Sequence, residues 1–169
     1  MRRSALLVYA VFALVALVAV VSGCKGGGKV SAAATVDPAR RAAVEAALEK
    51  YSGFVAKMDD EGISEMFTTN GEMGSTDGKP LVGRAAILRH LARLHDYKVQ
   101  SNVVTSESVT FEGADTYQKG TYRQTVQTPS GNTLQVQGKL EAVWTLDKDG
   151  AWRLKKLTAI PDHSEKPKE

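Results

Sequence analysis

Between Asp37 and Met58 the apolar residues Val44, Leu48, Tyr51, Val55 and Met58 recur at helical spacing, with Ala47 and Phe54 widening the stripe. Asp37 followed by Pro38 supplies an N-cap and a first helical residue whose missing N–H costs nothing. Asp59 and Asp60 can cap a second, short helix with Ile63, Met66 and Phe67 buried, which Thr69-Asn70-Gly71 ends with turn chemistry. A brief strand over Glu72–Ser75 and a turn at Thr76–Pro80 follow. Ile87, Leu91 and Leu94 then mark a third helix from Arg84 to Leu94, starting just after Gly83.

After His95 the period changes from helical to alternating. Four strands are expected, over Tyr97–Phe111, Thr116–Thr128, Thr133–Leu146 and Ala151–Ile160, separated by turns rich in Gly, Asp, Asn and Pro. The third is the clearest: Leu134, Val136, Leu140, Ala142, Trp144 and Leu146 alternate with Thr133, Gln135, Gln137, Lys139 and Glu141. Gly120 and Gly138 fall in mid-strand, where glycine is costly unless the sheet must bend, and the turn near Ser130-Gly131 sets Tyr122 opposite Gly138. Helices first and a meander of long strands afterwards is an α+β order: three N-terminal helices packed on the concave face of a strongly curved antiparallel sheet.

The N-terminus obeys neither period. Arg2 and Arg3 precede an unbroken apolar run from Ala5 to Val21, the arrangement of an export signal. Its 17 residues also sit at the lower edge of what spans a bilayer, so an uncleaved signal anchor is the alternative. Both put the domain outside the cytoplasm. Val21-Ser22-Gly23-Cys24 resembles a bacterial lipobox, which implies cleavage after residue 23 and a lipid on Cys24. Several acyl chains anchor a protein stably, because each buried CH₂ contributes about 0.8 kcal/mol. Cys24 is the single cysteine, so no intramolecular disulfide can form. Lys25, rather than Asp, follows it, which in a two-membrane envelope favours the periplasmic face of the outer membrane. The expected organisation is a lipoprotein signal peptide over 1–23, a Gly/Ala/Ser-rich tether over 24–36, a domain over 37–161 and a polar tail over 162–169.

Charge narrows the partners. The sequence pI near 9.0 suggests nucleic acid. Arg2 and Arg3, however, are two of the 22 basic residues, and the remaining 20 nearly balance 19 acidic ones. With no basic block after the signal, nucleic acid is excluded as a partner. No metal motif appears, since the histidines are scattered and no cysteine pair exists, and Gly26-Gly27-Gly28 neither follows a strand nor opens a helix. No cofactor is expected.

The order of elements resembles the SnoaL-like branch of the nuclear transport factor 2-like superfamily, a cone-shaped α+β fold. The resemblance spans about residues 40–161. It is carried by the helix with Tyr51, by the run from Asp59 to Phe67 with Thr69-Asn70-Gly71, by Gly78–Ile87 and by Asp149-Gly150-Ala151-Trp152-Arg153-Leu154. The fold hosts isomerases, dehydratases, polyketide cyclases and members without catalysis, so function must be argued from the site. In ketosteroid isomerase a general-base Asp works with an oxyanion hole made of one Tyr and one protonated Asp. The resemblance puts the tyrosine at Tyr51, the base at Ser75 and the protonated acid near Ala142. Neither of the last two is an acid. Asp77 falls in a turn, and Glu141 is one residue out of phase and so on the opposite face of its strand.

Tyr51 and His90 are the candidate catalytic groups, the first as a core phenol or hydrogen-bond donor, the second flanking the apolar stripe of the third helix. Helix and strand phase together with the family's geometry place Tyr51, Phe54, Met58, Phe67, Met73, His90 and Trp144 around a ligand pocket. His95 and His163 suggest no catalysis. The leading reading is a lipid-anchored extracytoplasmic domain serving as a non-catalytic small-molecule-binding or protein-interaction module. The alternative is an acid–base enzyme of isomerase, dehydratase or cyclase type acting on an apolar small molecule. A homodimer through the outer sheet face, with Tyr117 and Val143 as contacts, is a third reading.

Overall fold

The computed structural model describes residues 37–74 and 78–162. The expected signal peptide, the tether, Cys24, Ser75, Asp77, His163 and the tail from 163 onward lie outside the described residues. Helix α1 (Pro38–Lys57) opens where the Asp37 carboxylate accepts from the Arg40 N–H at 2.9 Å. It closes at Met58, which takes the left-handed conformation with φ 52°. Its buried stripe is Val44, Leu48, Tyr51 and Val55, four of the residues read from the periodicity. Helix α2 (Asp60–Glu65) is capped by Asp59, whose side chain accepts from the Gly62 N–H. Helix α3 (Arg84–Leu91) continues into a 3₁₀ turn over Ala92–Leu94, so the expected third helix has the expected bounds but tightens in its last turn. Among the described residues no helix is long and apolar enough to cross a membrane.

Six strands form one sheet in the order β2-β1-β6-β5-β4-β3. The long strands β3 (Lys98–Glu112), β4 (Asp115–Gln127), β5 (Thr133–Leu146) and β6 (Trp152–Pro161) make an antiparallel meander whose bounds match expectation to within a residue. Tyr122 pairs with Gly138, as the turn position implied. At Gly138 a Cβ would lie 2.1 Å from the Ile160 carbonyl oxygen, and at Gly120 one would lie 2.2 Å from that of Thr105. Any side chain there would force the neighbouring strand away, so the close approach requires glycine at both positions.

Two expectations need correction. The sheet is mixed, because β1 (Phe67–Met73) lies parallel to β6 on one side and antiparallel to β2 (Leu81–Val82) on the other. Phe67 therefore opens a strand instead of closing a helix, and Thr69-Asn70-Gly71 lies within that strand rather than in a turn. The pairing with β6 shifts register between Phe67 and Glu72, and a Cβ on Gly71 would meet the Leu154 carbonyl oxygen at 2.7 Å. Turn-forming residues here build a bulge. Nor do three helices share the sheet's inner face. Only α1 lies along it, against β3 and β6, whereas α2 and α3 pack on each other and reach the sheet near β1. Helix α2 buries just Ile63 and Ser64, too little to hold a sheet face by itself.

Candidate functional site

The inward face of β4 carries Thr116, Gln118, Gly120, Tyr122, Gln124 and Val126, all buried. Two amides in that row are 1% and 2% exposed, at Gln118 and Gln124. A buried amide is tolerated when it is hydrogen-bonded, and both of these are. The Gln118 oxygen accepts from the Trp144 indole N–H at 2.8 Å, and its nitrogen donates to Ser106 Oγ at 3.0 Å. The Gln124 nitrogen donates to Asn102 Oδ1 at 2.9 Å, and Asn102 Nδ2 donates to Ser52 Oγ at 2.7 Å and to the Ser52 carbonyl at 3.2 Å. The second network thus fastens the last turns of α1 to β3 and β4, and the first fixes the Trp144 ring inside the core.

Tyr51 is 5% exposed and packs edge-on against Phe67, with ring centroids 6.3 Å apart. Burial pushes its phenol well above the ordinary value of 10.0, so it stays neutral, a hydrogen-bond donor and no base. Tyr122 is pushed the same way by burial and then by the negative charge of Asp162. Tyr51, Phe67, Met73 and Trp144 belong to one continuous core with Phe54 packed against it, so five of the seven expected pocket residues come together. The other two sit at helix ends. Met58 is the half-buried C-cap of α1, and His90 is buried near the end of α3, where its Nδ1 lies 3.2 Å from Arg93 Nη2.

Ala142 faces inward, 2% exposed, and pairs with Gln118 across β4 and with Leu157 across β6. Glu141 faces outward and binds Lys119 at 3.3 Å. The inward faces of β4 and β5 carry no carboxylate among the described residues. Donors and acceptors abound there, but no carboxylate on those inward faces is placed to take a carbon-bound proton. No set of three His, Cys, Asp or Glu side chains among the described residues could hold a metal. Sequence reasoning missed the amide and hydroxyl network. Its signal was present: Gln118 and Gln124 are in phase with Tyr122 along β4 and so share its inward face.

Arg40, in the first turn of α1, reaches the β3–β4 hairpin. Its Nε donates to Thr116 Oγ1 at 2.8 Å and its Nη1 to the Gly113 carbonyl at 2.9 Å, while its guanidinium lies 5.0 Å from the Phe111 ring centre and 5.6 Å from that of Trp152. The start of α1 is thereby pinned to the β3–β4 hairpin.

The fold has many solved counterparts. A Catenulispora acidiphila protein determined in complex with S-DNPA superposes with a TM-score of 0.65 at 18% identity, covering 75% of this chain and 96% of that one. A ketosteroid isomerase-like protein from Erwinia carotovora atroseptica gives 0.65 at 13% identity, covering 73% and 96%. A conserved protein from Planctomyces limnophilus gives 0.66 at 15%, covering 73% and 97%. Identities this low speak for the fold alone, and no curated protein matches the sequence. The model of the SnoaL-like domain matches residues 38–158, nearly the whole described region, and the chain belongs to that family.

Proposed function

We propose that this is a lipid-anchored extracytoplasmic domain that works by binding and not by catalysis. The supporting observation is the character of the inner face. Where the isomerase chemistry of the fold would need a carboxylate beside the phenol, β5 supplies Ala142, and the neighbouring amide of Gln118 is already engaged by Trp144 and Ser106. An acid–base pair needs groups poised to change protonation near the working pH, and a neutral amide network has none. The ligand region of this reading is the expected set Tyr51, Phe54, Met58, Phe67, Met73, His90 and Trp144, with the wholly buried Phe67 and Trp144 backing the others, and its apolar members suit an apolar small molecule.

The test is turnover. Incubated with enone, epoxide and polyketide substrates between pH 5 and 9, the purified protein is expected to give rates no higher than buffer. A measurable rate that Tyr51→Phe or His90→Ala abolishes would overturn the reading in favour of the acid–base enzyme. The anchor is tested separately by metabolic labelling with radioactive palmitate, expected in the native chain and lost on Cys24→Ser.

A further inference from the structure

We propose that a cleft on the face of the sheet turned away from the helices binds a small zwitterion, a molecule carrying both a carboxylate and an ammonium group. The cleft encloses about 330 Å³, at the small end of ligand-sized pockets. It is built on a cross-strand row. Val103 on β3 pairs with Arg123 on β4, and Arg123 pairs with Gln137 on β5. Asp162, just past β6, donates its backbone N–H to the Gln137 carbonyl at 2.9 Å. Thr105 and Thr121, paired with each other, add two hydroxyls from the next outward row.

Charge decides the ligand class. Arg123 and Asp162 flank Gln137 from its two neighbouring strands, which puts their backbones about 10 Å apart at ordinary strand spacing. Both line the cleft, and neither enters an ion pair among the described residues. A plain anion would meet Arg123 but be repelled by Asp162, and a plain cation would suffer the reverse. A molecule bearing both charges satisfies both walls, its carboxylate taken by the forked guanidinium and its ammonium by the Asp162 carboxylate. The Gln137 amide and the two threonine hydroxyls lie between to serve the remaining polar atoms, and Val103, 59% exposed, offers an apolar wall. The nearest cleft residue on β4, Thr121, lies four residues from Tyr117, about 13 Å along the strand, so the cleft does not include the expected dimer contact, and Tyr122 and Gly138 form its floor.

The experiment is calorimetric titration of the full chain in detergent with L-alanine, tri-L-alanine, acetate and methylammonium. At least one of the two zwitterions is expected to bind tenfold or more tightly than acetate or methylammonium. Whichever of them binds distinguishes a free amino acid from a peptide. Arg123→Gln and Asp162→Asn are each expected to weaken that binding at least tenfold, and Lys119→Gln, on the same face but outside the cleft, to leave it unchanged. Acetate binding as tightly as both zwitterions, no saturable heat from either, or binding that survives both cleft substitutions would overturn the proposal. Because neither Tyr51 nor His90 lines the cleft, turnover that depends on them would leave this result untouched.

Discussion

Alternate residues of β4 and β5 live under different physics. On the inner face Gln118 and Gln124 are sealed from water and bonded to named partners. One residue further along, Lys119 and Glu141 form an ion pair whose side chains remain 67% and 52% exposed. Both faces are polar, but only on the inner one does breaking a bond leave a partner with nothing else to bind. Outside, water replaces whatever is removed. On these two strands the polar residues that hold the core together are therefore neutral ones, whereas the Lys119–Glu141 pair stands in solvent.

The largest effect is expected where the inner network meets the apolar core. Trp144 is fully buried and held by Gln118. Trp144→Ala should lower the unfolding free energy by about 3–5 kcal/mol, the cavity and the orphaned amide acting together, as read by urea denaturation. A loss below about 1 kcal/mol would mean that the inner face is loosely packed, and the contrast between the faces would fail.

Next comes the amide alone. Gln118→Met keeps the volume but leaves the Trp144 indole N–H and the Ser106 hydroxyl without their partner. About 1–3 kcal/mol of destabilisation is expected from these unmet groups. The double substitution with Trp144→Phe removes the indole N–H as well, and it should cost less than the sum of the single changes.

This inner network also shows what the sequence made legible. The alternation of β5, the cap and stripe of α1 and the pairing of Tyr122 with Gly138 are local properties, set by period, capping chemistry and turn length, and all could be read directly. The partnership of β1 with β6 joins segments about 85 residues apart and leaves no periodic trace, so Thr69-Asn70-Gly71 read as a turn where the chain builds a bulge. The site was half legible. Strand phase placed Ala142 inward and Glu141 outward, but a glutamine reads as a surface residue until the strand beside it supplies Trp144 and Ser106.

Alkaline pH probes the same contrast more gently. Burial raises the phenols of Tyr51 and Tyr122, so each holds its proton more tightly folded than unfolded. Stability from these groups is then complete below the ordinary phenol value of 10.0 and falls as pH rises above it. By pH 11 each buried phenol should cost on the order of 1 kcal/mol, and Tyr51→Phe should remove its share of that slope. Tyr117, exposed on the outer face, is raised mainly by its hydrogen bond to Glu112 and not by burial, and solvent screens that interaction, so Tyr117→Phe should leave most of the alkaline loss in place.

The smallest effect is the most diagnostic. Glu141→Gln breaks the ion pair with Lys119, and for a solvated pair the expected change is within about 0.5 kcal/mol and shrinks further in 1 M salt. A neutral result would show that this face meets water in solution, which the cleft holding Arg123 and Asp162 requires if a small molecule is to enter. A larger loss that grows with protein concentration would instead mean that a second copy covers the face, with Tyr117 and Val143, directly opposed across β4 and β5, at the contact. The two outcomes separate a surface that recruits small charged molecules from one that recruits another protein, because only the second makes stability depend on how much protein is present.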